Sequence, residues 1–134
     1  MYTPPPNGFR PMTRCPSEHA VQSLVVRQLA EIGVLYASIP NDGKRTQEAA
    51  RSAKQRGLVR GAPDLLVFTV PPKAPHARGV ALEFKRVHGG TEDADQVRFL
   101  ANLRKEGWIA EFVHGAKEAL ELLYSLGYNV GRIQ

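Results

Sequence analysis

The chain alternates between two hydrophobic periods. After Ser17, a good N-cap, the apolar residues Val21, Leu24, Val25, Leu29 and Ile32 recur at helical spacing as far as Gly33. "VLYASIP" then reads as a short strand closed by Pro40 and the turn "NDG". "TQEAARSAKQRG" has a capping threonine, three alanines and a terminal glycine, and predicts a short basic helix with a weak apolar face. Two strands follow, "DLLVFTV" and "GVALEFKRV", joined by "PPKAPHAR". Three prolines in that loop predict a long hairpin connection rather than a two-residue turn. Thr91 is the expected cap of the next helix, in which Val97, Leu100, Ala101 and Leu103 repeat up to Gly107. "WIAEFV" predicts a further strand, and "AKEALELLYSLG" a closing helix with Ala116, Ala119, Leu120, Leu123 and Leu126 on one stripe.

The predicted order is α-β-α-β-β-α-β-α, an α/β arrangement with a central mixed sheet flanked by helices. A chain of 134 residues is one domain by length and can bury about two thirds of its unfolded surface. Residues 1–16, "MYTPPPNGFRPMTRCP", are proline-rich and polar, and predict an arm in front of a single domain over 17–134. That arm has no apolar stretch resembling a signal peptide, and no run approaches membrane-spanning length. Cys15 is the single cysteine, which excludes an intramolecular disulfide and a cysteine-held zinc. A reducing, cytoplasmic setting and no membrane partner are therefore expected.

Charge changes the picture in one segment. Lys44, Arg45, Arg51, Lys54, Arg56 and Arg60 face a single acid, Glu48, and this local excess equals the net charge of the whole chain, +5. Such a concentration is the electrostatic footprint of a polyanion binder, with nucleic acid the commonest partner, although a solvated helix face has the same composition.

The candidate chemistry lies in the hairpin. In "ALEFKRV", strand alternation puts Glu83 and Lys85 on one face and Leu82 and Phe84 on the other. Acids and lysines are rarely buried unless paired, so this composition, apolar on both sides of Glu83, calls for partners. Ala81 and Val87 extend the Glu83 face without polarity, which argues for a polar site set in a buried surface over an exposed edge-strand ion pair. Asp64, behind Pro63, opens the preceding strand and comes near Glu83 if the two strands pair antiparallel. Two neighbouring carboxylates repel unless a cation lies between them, and an oxygen-rich site suits Mg²⁺ or Mn²⁺. His19, His76, His88 and His114 are scattered and form no ligand cluster. Glu18 continues the inward stripe of the first helix, though an acid in a first turn is also favoured by the helix dipole alone. Gln96, one turn before Leu100, could reach the same site or stand exposed.

Asp64 and the Glu-x-Lys lie 19 positions apart, which by itself is weak evidence. Their context is more specific. "GLVRGAPDLLVF" followed by "GVALEFKR" resembles the PD-(D/E)xK nuclease superfamily, and more narrowly the virus-type replication-repair nuclease (VRR-NUC) domain. The resemblance takes in "SEHAVQ", "IPNDGKR", "RGLVRGAPDL" and the glutamine of "DADQVRFLANLRKEGW", and runs from about residue 17 to 127. It implies a restriction-endonuclease-like core and a metal-dependent, structure-selective DNA nuclease of the kind found in phage and bacteria. Some such domains act as homodimers on four-way (Holliday) junctions. It further implies Glu18, Asp64, Glu83, Lys85 and Gln96 as the catalytic set, with Mg²⁺ or Mn²⁺ held by Asp64, Glu83 and the Phe84 carbonyl. Lys44, Arg45, Arg51, Lys54, Arg56, Arg60 and Arg86 are then the expected phosphate contacts. Two readings compete with this one: a non-catalytic nucleic-acid-binding module, and a nuclease subunit that needs a partner protein.

Overall fold

Residues 15–40 and 46–131 are described by a computed structural model. Residues 1–14 of the expected arm, and the expected phosphate contacts Lys44 and Arg45, lie outside the described residues.

The elements come in the predicted order: α1 (Glu18–Ile32), β1 (Tyr36–Ser38), α2 (Gln47–Gln55), β2 (Leu65–Val67), β3 (Val80–Lys85), α3 (Ala94–Lys105), β4 (Ile109–His114) and α4 (Gly115–Ser125). The sheet runs β1-β2-β3-β4, antiparallel across the first two pairings and parallel between β3 and β4. The parallel pair is joined through α3, as a crossover requires.

Alternation along β3 divides the interior in two. Val80, Leu82 and Phe84 enter the main core with Val21, Val25 and Leu29 of α1 and Ala119, Leu120 and Leu123 of α4. Ala81 faces the other way, into a smaller cluster with Leu100 of α3 and Ala110 of β4. Glu83 and Lys85 share the Ala81 parity and therefore lie on the α3 side. All six residues of β3 are buried, because it has a strand on each edge and helices on both faces.

Ser17 caps α1 by accepting the Ala20 N–H, and Thr46 caps α2 by accepting that of Ala49. The cap of α3 is Asp93 rather than the expected Thr91. Its carboxylate takes the Asp95 N–H at 2.7 Å, and Gln96 reaches back to the Asp93 N–H, which closes a capping box. Three apolar expectations are also corrected. Leu24 and Val97 point outward, and β2 is only three residues long, so Phe68 and Val70 are exposed beyond it. Val26 supplies the packing that Leu24 does not. Among the described residues, no helix is long and apolar enough to cross a membrane.

Candidate active site

Asp64 is fixed at the mouth of β2 by its own backbone and by its side chain. Its carbonyl accepts the Ile39 N–H at 2.9 Å, which ties it to the end of β1. Its Oδ2 accepts the Phe84 N–H, also at 2.9 Å. The β2–β3 ladder ends at Leu65 and Leu82, so the carboxylate takes a β3 donor that a longer β2 would have claimed. Continuing the register by one position places Asp64 opposite Glu83, with both side chains on the same face. One carboxylate oxygen thus does the local work of a strand end, and the other is left for the site. In an extended strand the N–H and C=O of one residue point to the same edge, so the Phe84 carbonyl faces the Asp64 side as well.

Glu83 and Lys85 are 3% and 6% exposed, and they are the buried charged residues among those described. Gln96 joins them. Its Oε1 accepts from Lys85 Nζ at 2.7 Å, and its Nε2 donates to Glu83 Oε1 at 2.8 Å. The capping box sets the amide's orientation, because the Asp93 N–H also needs Oε1 as acceptor, at 3.3 Å. That leaves Nε2 to meet the carboxylate. Lys85 Nζ further sits 5.9 Å from the centroid of the Phe112 ring, near enough for a cation–π attraction.

The second oxygen of Glu83, Oε2, is buried and has no hydrogen-bond partner. The Asp64 carboxylate beside it can serve as one only if a proton sits between the two. Burial, and then the neighbouring Asp64 charge, push the Glu83 carboxyl up to about 8. Burial also raises Asp64, against the lowering effect of the Phe84 N–H. A buried acid pair with one oxygen unsatisfied is the arrangement that a hard divalent cation stabilises, since it neutralises both charges and takes oxygen donors. Asp64, Glu83 and the Phe84 carbonyl fit that requirement.

Glu18 is exposed at the start of α1 and lines, with Asp64, a cleft of about 510 Å³ between α1 and β1. Its charge opposes ionisation of both Asp64 and Glu83. Among the described residues no three His, Cys, Asp or Glu side chains converge to hold a metal, so Glu18 lies at the rim of the acid pair and not within a three-carboxylate cluster.

Of the expected phosphate contacts, Arg51, Lys54, Arg56, Arg60 and Arg86 are all exposed. Arg60 is already engaged: its Nε lies 3.2 Å from Asp95 Oδ2, while Arg98 Nη1 takes Asp95 Oδ1 at the same distance. The next residue, Gly61, has φ +89°, and a Cβ there would lie 2.6 Å from the Asp95 carbonyl group. The loop that delivers Asp64 is thus pressed against the first turn of the helix that delivers Gln96. This close approach has no signature in the sequence beyond a glycine, whereas Asp93 and Gln96, three apart, do spell a capping box.

No family model matches the chain, and no curated protein matches it. A solved structure described as a "VRR_NUC domain protein" superposes with a TM-score of 0.68 at 20% identity, covering 90% of this chain and 95% of that one. The likeness is one of fold: the chain has the mixed-sheet, restriction-endonuclease-like architecture of a VRR-NUC domain.

Proposed function

We propose that this chain, with its VRR-NUC fold, is a metal-dependent nuclease that hydrolyses phosphodiester bonds in branched DNA. The observation that carries the reading is Glu83 Oε2, a buried oxygen without a donor, next to a second carboxylate. A pure binding module gains nothing from two acids beside a phosphate, since without a cation they repel it.

Asp64, Glu83 and the Phe84 carbonyl would hold Mg²⁺ or Mn²⁺. When bound, the cation lowers the pKa of the attacking water and offsets charge developing on the scissile phosphate. Lys85, held in place by Gln96, supplies a positive charge on the same strand face and grips a phosphate oxygen or positions the water. Gln96 orients both partners from a capped helix terminus, which limits their motion. Glu18 orders water at the rim. Water attacks phosphorus, the bond to the 3′ oxygen breaks, and that oxygen takes a proton, leaving a 5′-phosphate and a 3′-hydroxyl. Exposed Arg51, Lys54, Arg56 and Arg86 bind phosphates without reading bases. One such site cuts one strand, so symmetric cleavage of a four-way junction calls for a C2 homodimer.

The test is cleavage of a labelled four-way junction beside matched duplex, splayed-arm and single-stranded DNA. Each is incubated with Mg²⁺, Mn²⁺ or EDTA, and with Asp64→Asn and Lys85→Ala as controls. Metal-dependent cutting lost in both variants is expected. Salt-sensitive binding with no cutting in any metal would leave a binding module, or a subunit that lacks its partner.

A further inference from the structure

The cleft that opens at Asp64 continues well past the acid pair. One wall is α1, where Glu18, Gln22 and Val26 lie a turn apart; the other is β1, where Tyr36 and Ser38 share a strand face. The Ile39–Asp64 backbone hydrogen bond pins the acid end. Glu18 and Val26 are eight positions apart, so the α1 wall is about 12 Å long at the helical rise per residue. The cleft volume of about 510 Å³ falls in the range of small-ligand sites. The proposed hydrolysis uses only its acid end.

The distribution of charge says what the remainder can hold. Both acids are at one end. Beyond them the described lining is part apolar (Val26, Tyr36, Ile39) and part hydrogen-bonding (His19, Gln22, Ser23, Ser38), and among the described residues no Lys or Arg lines it. A phosphate backbone requires cations, and the described ones stand outside the cleft: Arg27 is exposed on α1 but is not part of the lining, and Arg51 and Lys54 are on α2. A slot with an aromatic side chain and amide, hydroxyl and imidazole groups instead matches a nucleobase, which needs a stacking surface and partners for its polar edge. A base reaches such a slot only when it is out of the duplex stack.

We propose that this cleft receives the base of an unpaired nucleotide adjoining the scissile phosphate, stacked on Tyr36 and hydrogen-bonded by Gln22. The position relative to the cut rests on the nuclease reading above; capture of the base does not. Preference for branched or frayed DNA then originates in the site itself, because fully paired strands cannot supply an extruded base without first melting.

The experiment uses the full chain and DNA carrying 2-aminopurine, either paired or in a one-nucleotide gap, with Ca²⁺ in place of the catalytic metal. Fluorescence of the unpaired probe is expected to change on binding, and the gapped DNA to bind about ten-fold tighter than the duplex. Tyr36→Leu, which keeps apolar volume in a half-buried position, loses stacking and should weaken the gapped complex by roughly 5- to 100-fold. Tyr36→Phe keeps the ring and the fluorescence change. Equal affinity for gapped and paired DNA, or an unchanged signal in Tyr36→Leu of wild-type melting temperature, would overturn the proposal. Cleavage of the same substrates in Mn²⁺ separates the two readings. Cutting without preference sinks base capture alone; base capture without cutting sinks the nuclease alone.

Discussion

Gln96 Nε2 donates to Glu83 Oε1 across 2.8 Å, from the first turn of α3 to the middle of the sheet. The same amide accepts from Lys85 at 2.7 Å and completes the helix cap. Gln96→Ala removes all three contacts at once. Loss of a capping interaction costs about 1 kcal/mol, or about 4 °C in melting temperature for a domain of this size. Cleavage should suffer more than stability, by roughly 10- to 100-fold, as for other residues that orient metal ligands. Thermal melts and single-turnover cleavage, measured on the same preparation, separate the two effects.

Stability of the metal-free protein should fall as pH rises. Burial, then the Asp64 charge, raise Glu83 from 4.5 to about 8. Below 4.5 the folded and unfolded chains both hold this proton. Between 4.5 and about 8 only the folded chain holds it, so unfolding releases a proton and higher pH favours unfolding. Asp64 is raised too and acts in the same direction. Melting temperature in EDTA should therefore drop by several degrees from pH 5 to pH 8. Glu83→Gln, neutral throughout, should flatten the slope and melt higher than wild type at pH 8. A slope unchanged in that variant would place the titration elsewhere.

Much of this was legible in the sequence, for reasons that particular residues make plain. Period-2 alternation put Glu83 and Lys85 on one face of an interior strand because β3 is regular and buried throughout. The antiparallel hairpin brought Asp64 opposite Glu83, as its place before "LLVF" implied. Phe68 and Val70 belong to the apolar run "DLLVFTV" yet lie exposed past the end of β2, because an apolar run does not reveal where a strand loses its neighbour. Thr91 comes first in "TEDADQ", but Asp93 has the glutamine three residues on and is the residue that caps α3. The α1–β1 cleft was not legible at all, since it depends on how a helix packed over the sheet sits against the edge strand β1.

Metal should reverse the effect of pH. A cation between Asp64 and Glu83 must displace the proton that Glu83 holds at neutrality, so affinity should increase as pH rises towards about 8. Mn²⁺ at a hundred times its Kd stabilises by about 2.7 kcal/mol, a rise of about 10 °C. Asp64→Asn and Glu83→Gln should each abolish that rise, and EDTA should reverse it in wild type. Calorimetric titration at two pH values, with proton release read from two buffers, provides the check. A full Mn²⁺ shift in Glu83→Gln would mean that the metal sits elsewhere.

Binding to DNA should weaken with salt in proportion to the phosphates contacted. Arg51 and Lys54 are exposed on α2, three apart and therefore on one side of the helix. If each meets one phosphate, Arg51→Ala and Lys54→Ala should each reduce the slope of log K against log salt by about 0.9. The loss should be the same for every DNA sequence. Anisotropy titrations across a salt series measure it, and a sequence-dependent loss would point to base contacts instead.

Gly61 offers the sharpest separation of fold from site. Its φ of +89° is strained for any other residue, and an added Cβ would stand 2.6 Å from the Asp95 carbonyl group, in backbone that cannot swing aside. Gly61→Ala must therefore move the loop bearing Asp64 away from the start of α3, where Asp95 and Gln96 sit. A strained, displaced loop is expected to cost about 1–3 kcal/mol. The greater consequence is geometric: Asp64 and Gln96 reach Glu83 from different elements, the mouth of β2 and the first turn of α3, and a shift of 1 Å between their supports is enough to lower a catalytic rate about a hundred-fold. Cleavage should thus collapse in a protein that still melts cooperatively. Arg60→Ala, which removes only an exposed ion pair to the same Asp95, should change stability by less than about 1 kcal/mol. If Gly61→Ala cleaves at the wild-type rate, close packing at Gly61 has no part in setting the site.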